Sequence, residues 1–182
     1  VALSTPDATR ENRHVMTADD VLEILDILHA AGIPAWVDGG WGVDALLGEQ
    51  TRDHGDLDIA VRSEDESRLR AVAGHEGFVE LSTEPHNPVL TDSRGRLLDV
   101  HFVDLGVVMP GPKGWLVYGD IGYDVGAFEG SGMIAGRAVP CTTVVSQVRS
   151  HTGYAVDDDD IRDMLALHRR FGIDLPPEYH EC

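Results

Sequence analysis

The chain reads as an α/β (α+β) protein: a small, mixed, twisted sheet flanked by helices, with helical elements towards the C-terminus. Three observations predict this. Capped segments with apolar residues at helical spacing are interleaved with short runs in which apolar and polar residues alternate. Two further helical segments follow one another near the end. The length of 182 residues, 42% of them hydrophobic, suits one buried core.

The elements follow in order. Residues 1–16 are polar and unpatterned, the mark of a flexible leader, with Met16 a candidate natural start. Thr17-x-x-Asp20 is a capping box, which satisfies amides that the first helical turn leaves open. Val21, Leu22, Leu25 and Leu28 then predict a helix over 18–31, stopped by Gly32 and Pro34. Ala35-Trp36-Val37 predicts a strand, Asp38-Gly39-Gly40 a tight turn, and residues 41–47 a short helix closed by Gly48. After a polar loop, Leu57, Ile59 and Val61 alternate with Asp56, Asp58 and Ala60, predicting a strand over 56–62. Ser63 and Glu66 form a second capping pattern ahead of a helix over 64–73. Strands are expected at 78–82 and 89–92, a hairpin turn at 93–95, and a longer strand at 96–105. Residues 106–132 are glycine-rich and irregular. A strand is expected at 133–139, then helices at 142–154 and 159–171, the second ending at Gly172, and a loose tail after Pro176. A single domain, 17–182, is expected, with a helical C-terminal part at about 142–172.

Charge narrows the partners. Fourteen basic against 32 acidic residues give −18, a field that repels nucleic acid and anionic membranes and favours cationic small molecules and divalent metals. No apolar run is long enough to span a bilayer, and residues 1–13 lack a secretory pattern, so cytoplasmic residence is expected. Cys141 and Cys182 have no metal-ligand spacing.

One constellation carries chemistry. Gly39-Gly40 lies between a strand and a helix, Asp56-x-Asp58 is on the next strand, and Asp99 is on a later one. Residues two apart on a strand share a face, so Asp56 and Asp58 project together, and Asp99 joins them if its strand is their neighbour. Clustered carboxylates repel, and divalent ions with hard oxygen preference, Mg²⁺ above all, relieve the repulsion. Two such ions can activate an attacking oxygen and neutralise a leaving group. The glycine pair opens a helix N-terminus to phosphate. Together these features suggest nucleotidyl transfer.

Val37-Asp38-Gly39-Gly40-Trp41-Gly42-Val43-Asp44, Thr51-Arg52-Asp53-His54-Gly55-Asp56-Leu57-Asp58-Ile59 and Leu98-Asp99-Val100-His101 resemble the small antibiotic nucleotidyltransferases of the polymerase-β-like superfamily. The likeness is to the lincosamide enzymes first and the aminoglycoside 2″-adenylyltransferases next. Ser150-His151-Thr152-Gly153-Tyr154 with the acidic run after it extends the resemblance, which spans about residues 17–172.

The resemblance implies a Mg²⁺-dependent enzyme that moves AMP from ATP, or NMP from another NTP, to a hydroxyl of a small, cationic antibiotic, first a lincosamide. Asp56 and Asp58 would hold a two-metal site, and Asp99 would complete it and act as base. Gly39 and Gly40 would line the phosphate path, and Arg52 would contact the triphosphate. Asp38, Asp44 and His101 are candidate substrate contacts, although Asp44 also fits a helix surface. His54 and His101 could equally orient a carboxylate or serve the structure. Homodimers that build the acceptor site from two chains are common in such families. Two alternatives stay open: the same chemistry on an aminoglycoside or another metabolite, and a non-catalytic nucleotide-binding module. The Asp157–Asp160 run is read as negative charge at a helix N-terminus, where the macrodipole favours it.

Overall fold

Thr17 opens the first helix as its spacing requires, in a computed structural model that describes residues 14–82, 87–111, 116–118 and 122–180. The Thr17 hydroxyl accepts the Asp20 N–H at 3.2 Å, and Asp20 reaches back to the Thr17 N–H at 3.1 Å. Helix α1 runs Ala18–Ala30 and buries Val21, Ile24, Leu25 and Leu28. The leader does not extend to Met16: that side chain is fully buried, and its N–H donates to the His54 carbonyl at 2.8 Å. The rest of the expected leader, up to residue 13, lies outside the described residues, as does Cys182.

Asp20 has a measurable consequence. Burial opposes its charge, but the Thr17 hydroxyl and N–H, His14 and Arg94 outweigh that and hold its pKa at about 2. Its ionised form therefore contributes stability above the ordinary value of 3.8, and the contribution disappears as pH falls towards 2. Asp20→Asn is expected to lose about 2 kcal/mol at pH 7. In urea titrations the gap between variant and wild type should close between pH 4 and pH 2; a gap independent of pH would show that the carboxylate charge is not the cause.

Among the described residues seven strands form one mixed sheet in the order β3-β4-β5-β2-β1-β10-β9. They are β1 (Ala35–Asp38), β2 (Leu57–Arg62), β3 (Val79–Glu80), β4 (Val89–Thr91), β5 (Leu97–Val103), β9 (Gly130–Ile134) and β10 (Arg137–Cys141). β1 runs antiparallel to β2 with Asp38 opposite Asp58, and β2 runs parallel to β5 with Asp58 opposite Asp99. Period-two alternation sorts the faces. Leu57, Ile59 and Val61, with Leu98, Val100 and Phe102, pack with α1 and with Leu69 and Ala73 of α3 (Glu66–His75). Asp58, Ala60, Asp99, His101 and Val103 therefore lie on the other face.

That second face carries a feature absent from the sequence reading. The stretch 106–132, expected to be irregular, contains β6 (Val108–Pro110), β7 (Leu116–Tyr118) and β8 (Tyr123–Asp124), an antiparallel sheet in the order β6-β7-β8. Tyr123 and Ala127 bury Ala60 and Val103, with Trp36, Tyr118 and Phe128 around them. Strands of two or three residues are too short to show alternation, so aromatic packing rather than local pattern fixes them.

Further corrections have local causes. The strand expected at 133–139 is the β9–β10 hairpin. Its turn, Ala135-Gly136, has both φ angles positive (48° and 78°), a geometry usually signalled by Asn-Gly or Asp-Gly. Ser63 does not cap a helix; a 3₁₀ turn, Ser63–Asp65, precedes α3. The helix expected over 142–154 is α4, Val144–Ser150, capped by Thr143. Strand 78–82 contracts to β3, and 96–105 to β5. The tail is not wholly loose, because Tyr179 is buried and its hydroxyl donates to the His151 carbonyl at 2.8 Å.

The C-terminal helices hold α2 (Gly39–Leu47) from behind. Val43 packs with Val148 of α4, with Met164 and Leu167 of α5 (Asp158–Phe171), and with Tyr179. The acidic run behaves as its position predicts. Asp157 and Asp160 form a reciprocal capping box at the start of α5, and Gly172 closes that helix in the left-handed region. No helix among the described residues is long and apolar enough to cross a membrane.

Candidate active site

Two strand registers assemble the acidic cluster. Because Asp58 lies opposite Asp99 in a parallel pair, their side chains leave the same face side by side, and His101 follows two residues along β5. One ligand atom from each of Asp58, Asp99 and His101 lies within 4.8 Å of the others. His101 Nε2 stands 3.8 Å from Asp58 Oδ1 and 4.0 Å from Asp99 Oδ1. Asp99 Oδ1 is buried and accepts no hydrogen bond. Burial, opposed by His101 and reinforced by the charges of Asp58 and Asp56, raises the Asp99 pKa above its ordinary value. Burial pushes the His101 pKa down, but Asp58, then the charges of Asp99, Asp58 again and Asp38, raise it overall. A cluster with one orphaned carboxylate oxygen and a surplus of negative charge fits a divalent cation.

Asp56 is not one of those three. It is exposed, one residue before β2, and its charge still reaches Asp99.

Gly39 is required at the floor of the site. Its φ is +55°, and a Cβ there would lie 2.2 Å from Asp58 Oδ2. A side chain at this position is strained and also displaces the carboxylate. The cluster opens into a cleft of about 640 Å³, walled by Asp38, Gly39, Asp58, His101, Arg149 and Tyr154.

A sequence model of the aminoglycoside-2″-adenylyltransferase family matches residues 20–167. The chain belongs to that family. It is a nucleotidyltransferase of the antibiotic-adenylyltransferase type, with the polymerase-β-like fold. A lincosamide resistance protein of Staphylococcus haemolyticus is 27% identical over 157 residues, covering 84% of this chain and 94% of that protein. A 2″-aminoglycoside nucleotidyltransferase of Klebsiella pneumoniae is 31% identical over 150 residues, 77% of each chain. Among solved structures, the lincomycin-bound lincosamide adenylyltransferase LnuA superposes with a TM-score of 0.71 at 25% identity, covering 85% of this chain and 98% of that one. ANT(2″)-Ia in complex with adenylyl-2″-tobramycin gives the same TM-score at 22% identity over 85% and 89% of the two chains, a likeness of fold.

Within this nucleotidyltransferase the remaining candidate residues separate. Asp38 is buried in the cleft wall. It accepts from the Tyr123 hydroxyl, from the Thr142 hydroxyl at 2.8 Å and from the Gln147 amide at 3.0 Å. Burial, together with Asp38 and the charges of Asp58 and Asp99, drives the Tyr123 pKa well above 10, so the phenol keeps its proton. Asp44, offered as a substrate contact, is instead enclosed in the protein. It takes the Thr51 N–H at 3.0 Å and hydroxyl at 2.6 Å, and pairs with buried His54. His54 accordingly serves the structure, and Trp41, 2% exposed, belongs to the core.

Arg52, expected at the triphosphate, clamps α5. Its Nε and Nη2 donate to Asp163, the shortest contact being 2.8 Å, and Asp159 lies 3.8 Å from Nη1. Gly40 makes room for this arrangement: a Cβ there would fall 2.5 Å from His54 Nδ1 and 2.6 Å from Arg52 Nη2. Tyr123, Thr142, Gln147 and Arg149 were not anticipated. Tyr123 sits in the stretch without pattern, and the others meet the site only through the pairing of β1 with β10 and the placement of α4.

Proposed function

We propose that this chain transfers AMP from ATP to a hydroxyl of a lincosamide in a Mg²⁺-dependent reaction. The observation that supports it best is the register of β2 and β5, which sets Asp58 beside Asp99, whose Oδ1 is buried and accepts no hydrogen bond. Asp56, Asp58 and Asp99 would hold the metal, as a two-ion site. When bound, Mg²⁺ would offset the charge of the α-phosphate and of departing pyrophosphate.

The chain's own groups do the rest. The amides of Gly39 and Gly40 at the start of α2 line the phosphate path; Asp38 leaves them uncapped because its carboxylate is held by Tyr123, Thr142 and Gln147. Asp99, with its raised proton affinity, takes the acceptor hydroxyl proton as the new O–Pα bond forms and the Pα–O–Pβ bond breaks. Asp38 and His101 border the acceptor side of the cleft.

The lincosamide reading draws support from the LnuA likeness, which spans almost all of that enzyme. An aminoglycoside is the second reading, favoured by the family model and the 31% relatives. A pyrophosphate-release assay with ATP and Mg²⁺ compares lincomycin, clindamycin, several aminoglycosides and no acceptor, with Asp58→Ala alongside. Release that depends on a lincosamide, is abolished by EDTA and is lost in the variant is the expected result. Release with aminoglycosides alone would transfer the proposal to the second reading, and release with no acceptor in the panel would overturn both.

A further inference from the structure

Between the end of α4 and the start of α5 the chain lines the cleft with Ser150, His151, Thr152 and Tyr154. Each of these four side chains gives its proton to the protein. Ser150 Oγ donates to the Gln147 carbonyl at 3.0 Å, Thr152 Oγ1 to the Arg149 carbonyl at 2.8 Å, and the Tyr154 hydroxyl to Asp160 Oδ1 at 3.1 Å. His151 Nδ1 stands 2.7 Å from the Gln147 carbonyl, which can only accept, so Nδ1 carries the ring proton. In the neutral imidazole Nε2 then holds a lone pair. Among the described residues Nε2 makes no hydrogen bond, since Asp160 Oδ1, at 3.9 Å, is beyond that distance. Arg149, also in the lining, is paired with Asp124 at 3.2 Å. What the four side chains have left to offer is acceptor capacity. It is held on a fixed frame, because the Tyr179 hydroxyl donates to the His151 carbonyl at 2.8 Å.

We propose that His151 is a specificity-determining residue whose Nε2 accepts a hydrogen bond from a hydroxyl or ammonium group of the antibiotic. The inference rests on the adenylyl-transfer reading above and deepens it by naming the wall that holds the acceptor substrate. Ionised phosphate oxygens only accept hydrogen bonds, so lone pairs do not complement them. The acidic first turn of α5 stands beside this wall, with Asp160 bonded to Tyr154 and close to His151. Its field opposes a polyanionic nucleotide and favours a cationic or hydroxyl-rich molecule. Nε2 and Asp160 Oδ1, 3.9 Å apart, can both be reached at about 2.8 Å by one donor placed between them. An ammonium group has protons for both.

The test compares His151→Asn and His151→Gln with the wild type, each checked by thermal unfolding. Asparagine keeps an N–H at the Nδ1 position for the Gln147 carbonyl and removes Nε2. Glutamine reaches the Nε2 position with an amide oxygen and gives up the Nδ1 bond. Values of KM and kcat are measured for lincomycin, tobramycin and ATP, and both antibiotics are titrated calorimetrically without nucleotide. His151→Asn should raise the KM of the accepted antibiotic about tenfold and leave the KM for ATP near the wild-type value. His151→Gln should recover most of that loss although it melts at a lower temperature. The reverse order, with Asn near wild type and Gln impaired, would show a structural role through the Gln147 carbonyl and overturn the proposal. So would a change confined to the KM for ATP, which would place the nucleotide on this wall. If the wild type turns over neither antibiotic, adenylyl transfer to them fails, and the titrations decide separately. Weaker binding in His151→Asn than in the wild type then supports the proposal, whereas equal binding, or no binding of either compound to the wild type, overturns it.

Discussion

Asp99→Asn is expected to lower kcat by about a thousandfold while the protein still binds nucleotide. Asparagine is close to isosteric with aspartate and keeps an oxygen for the cluster, but it cannot accept the acceptor proton. The loss of a positioned general base costs about 10²–10⁴ in rate. A second readout separates this from damage to the fold. Burial and the nearby charges of Asp58 and Asp56 raise the Asp99 pKa against the pull of His101, so its ionised form costs stability. The sign follows from linkage: a carboxylate with a raised folded-state pKa favours the fold below its unfolded value, and the benefit is lost as pH rises through the folded value. At pH 7 without Mg²⁺ the variant should therefore unfold at a higher temperature than the wild type, the exchange of stability for activity that active sites often show. Full activity in Asp99→Asn would remove Asp99 from the role of base.

Arg52→Ala should destabilise the protein by about 3 kcal/mol, because it strands a buried carboxylate. Asp163 is 1% exposed and receives both Nε and Nη2 of Arg52. Burial already raises the Asp163 pKa, and Arg52 only partly offsets it. For a domain of this size the melting temperature should drop by roughly 10 °C. Arg52→Lys should recover little, since a point charge cannot reproduce the two-pronged contact. The double variant Arg52→Met with Asp163→Leu should recover most of the stability, as replacement of a buried pair by apolar groups often does. Unchanged stability in Arg52→Ala with lost nucleotide binding would instead return Arg52 to the triphosphate.

Features written by residues within a few positions of one another are legible in the sequence. Thr17 with Asp20 marked α1, and the alternation of Leu57, Ile59 and Val61 marked β2. Asp58 and Asp99 were legible as carboxylates at the polar positions of such alternation, and the glycine pair by its place between a strand and a helix. Asp44 and Arg52 went astray for one reason. Both sit inside the family's sequence motif, yet their partners His54, Thr51 and Asp163 satisfy buried charge, a condition that motif spacing does not express.

By itself the sequence determined the helix starts, the inward faces of the central strands and the set of carboxylates, since each depends on residues within a few positions of one another. Only the tertiary structure decided which carboxylates meet. The parallel pairing of β2 with β5 sets Asp58 against Asp99 and joins His101 to them. It likewise decided that the stretch after β5 folds into a three-stranded sheet whose Tyr123 holds Asp38 and whose Asp124 holds Arg149. These partners are 85 and 25 residues apart in the chain. Their contacts come from packing across the sheet, which no periodicity along the chain encodes.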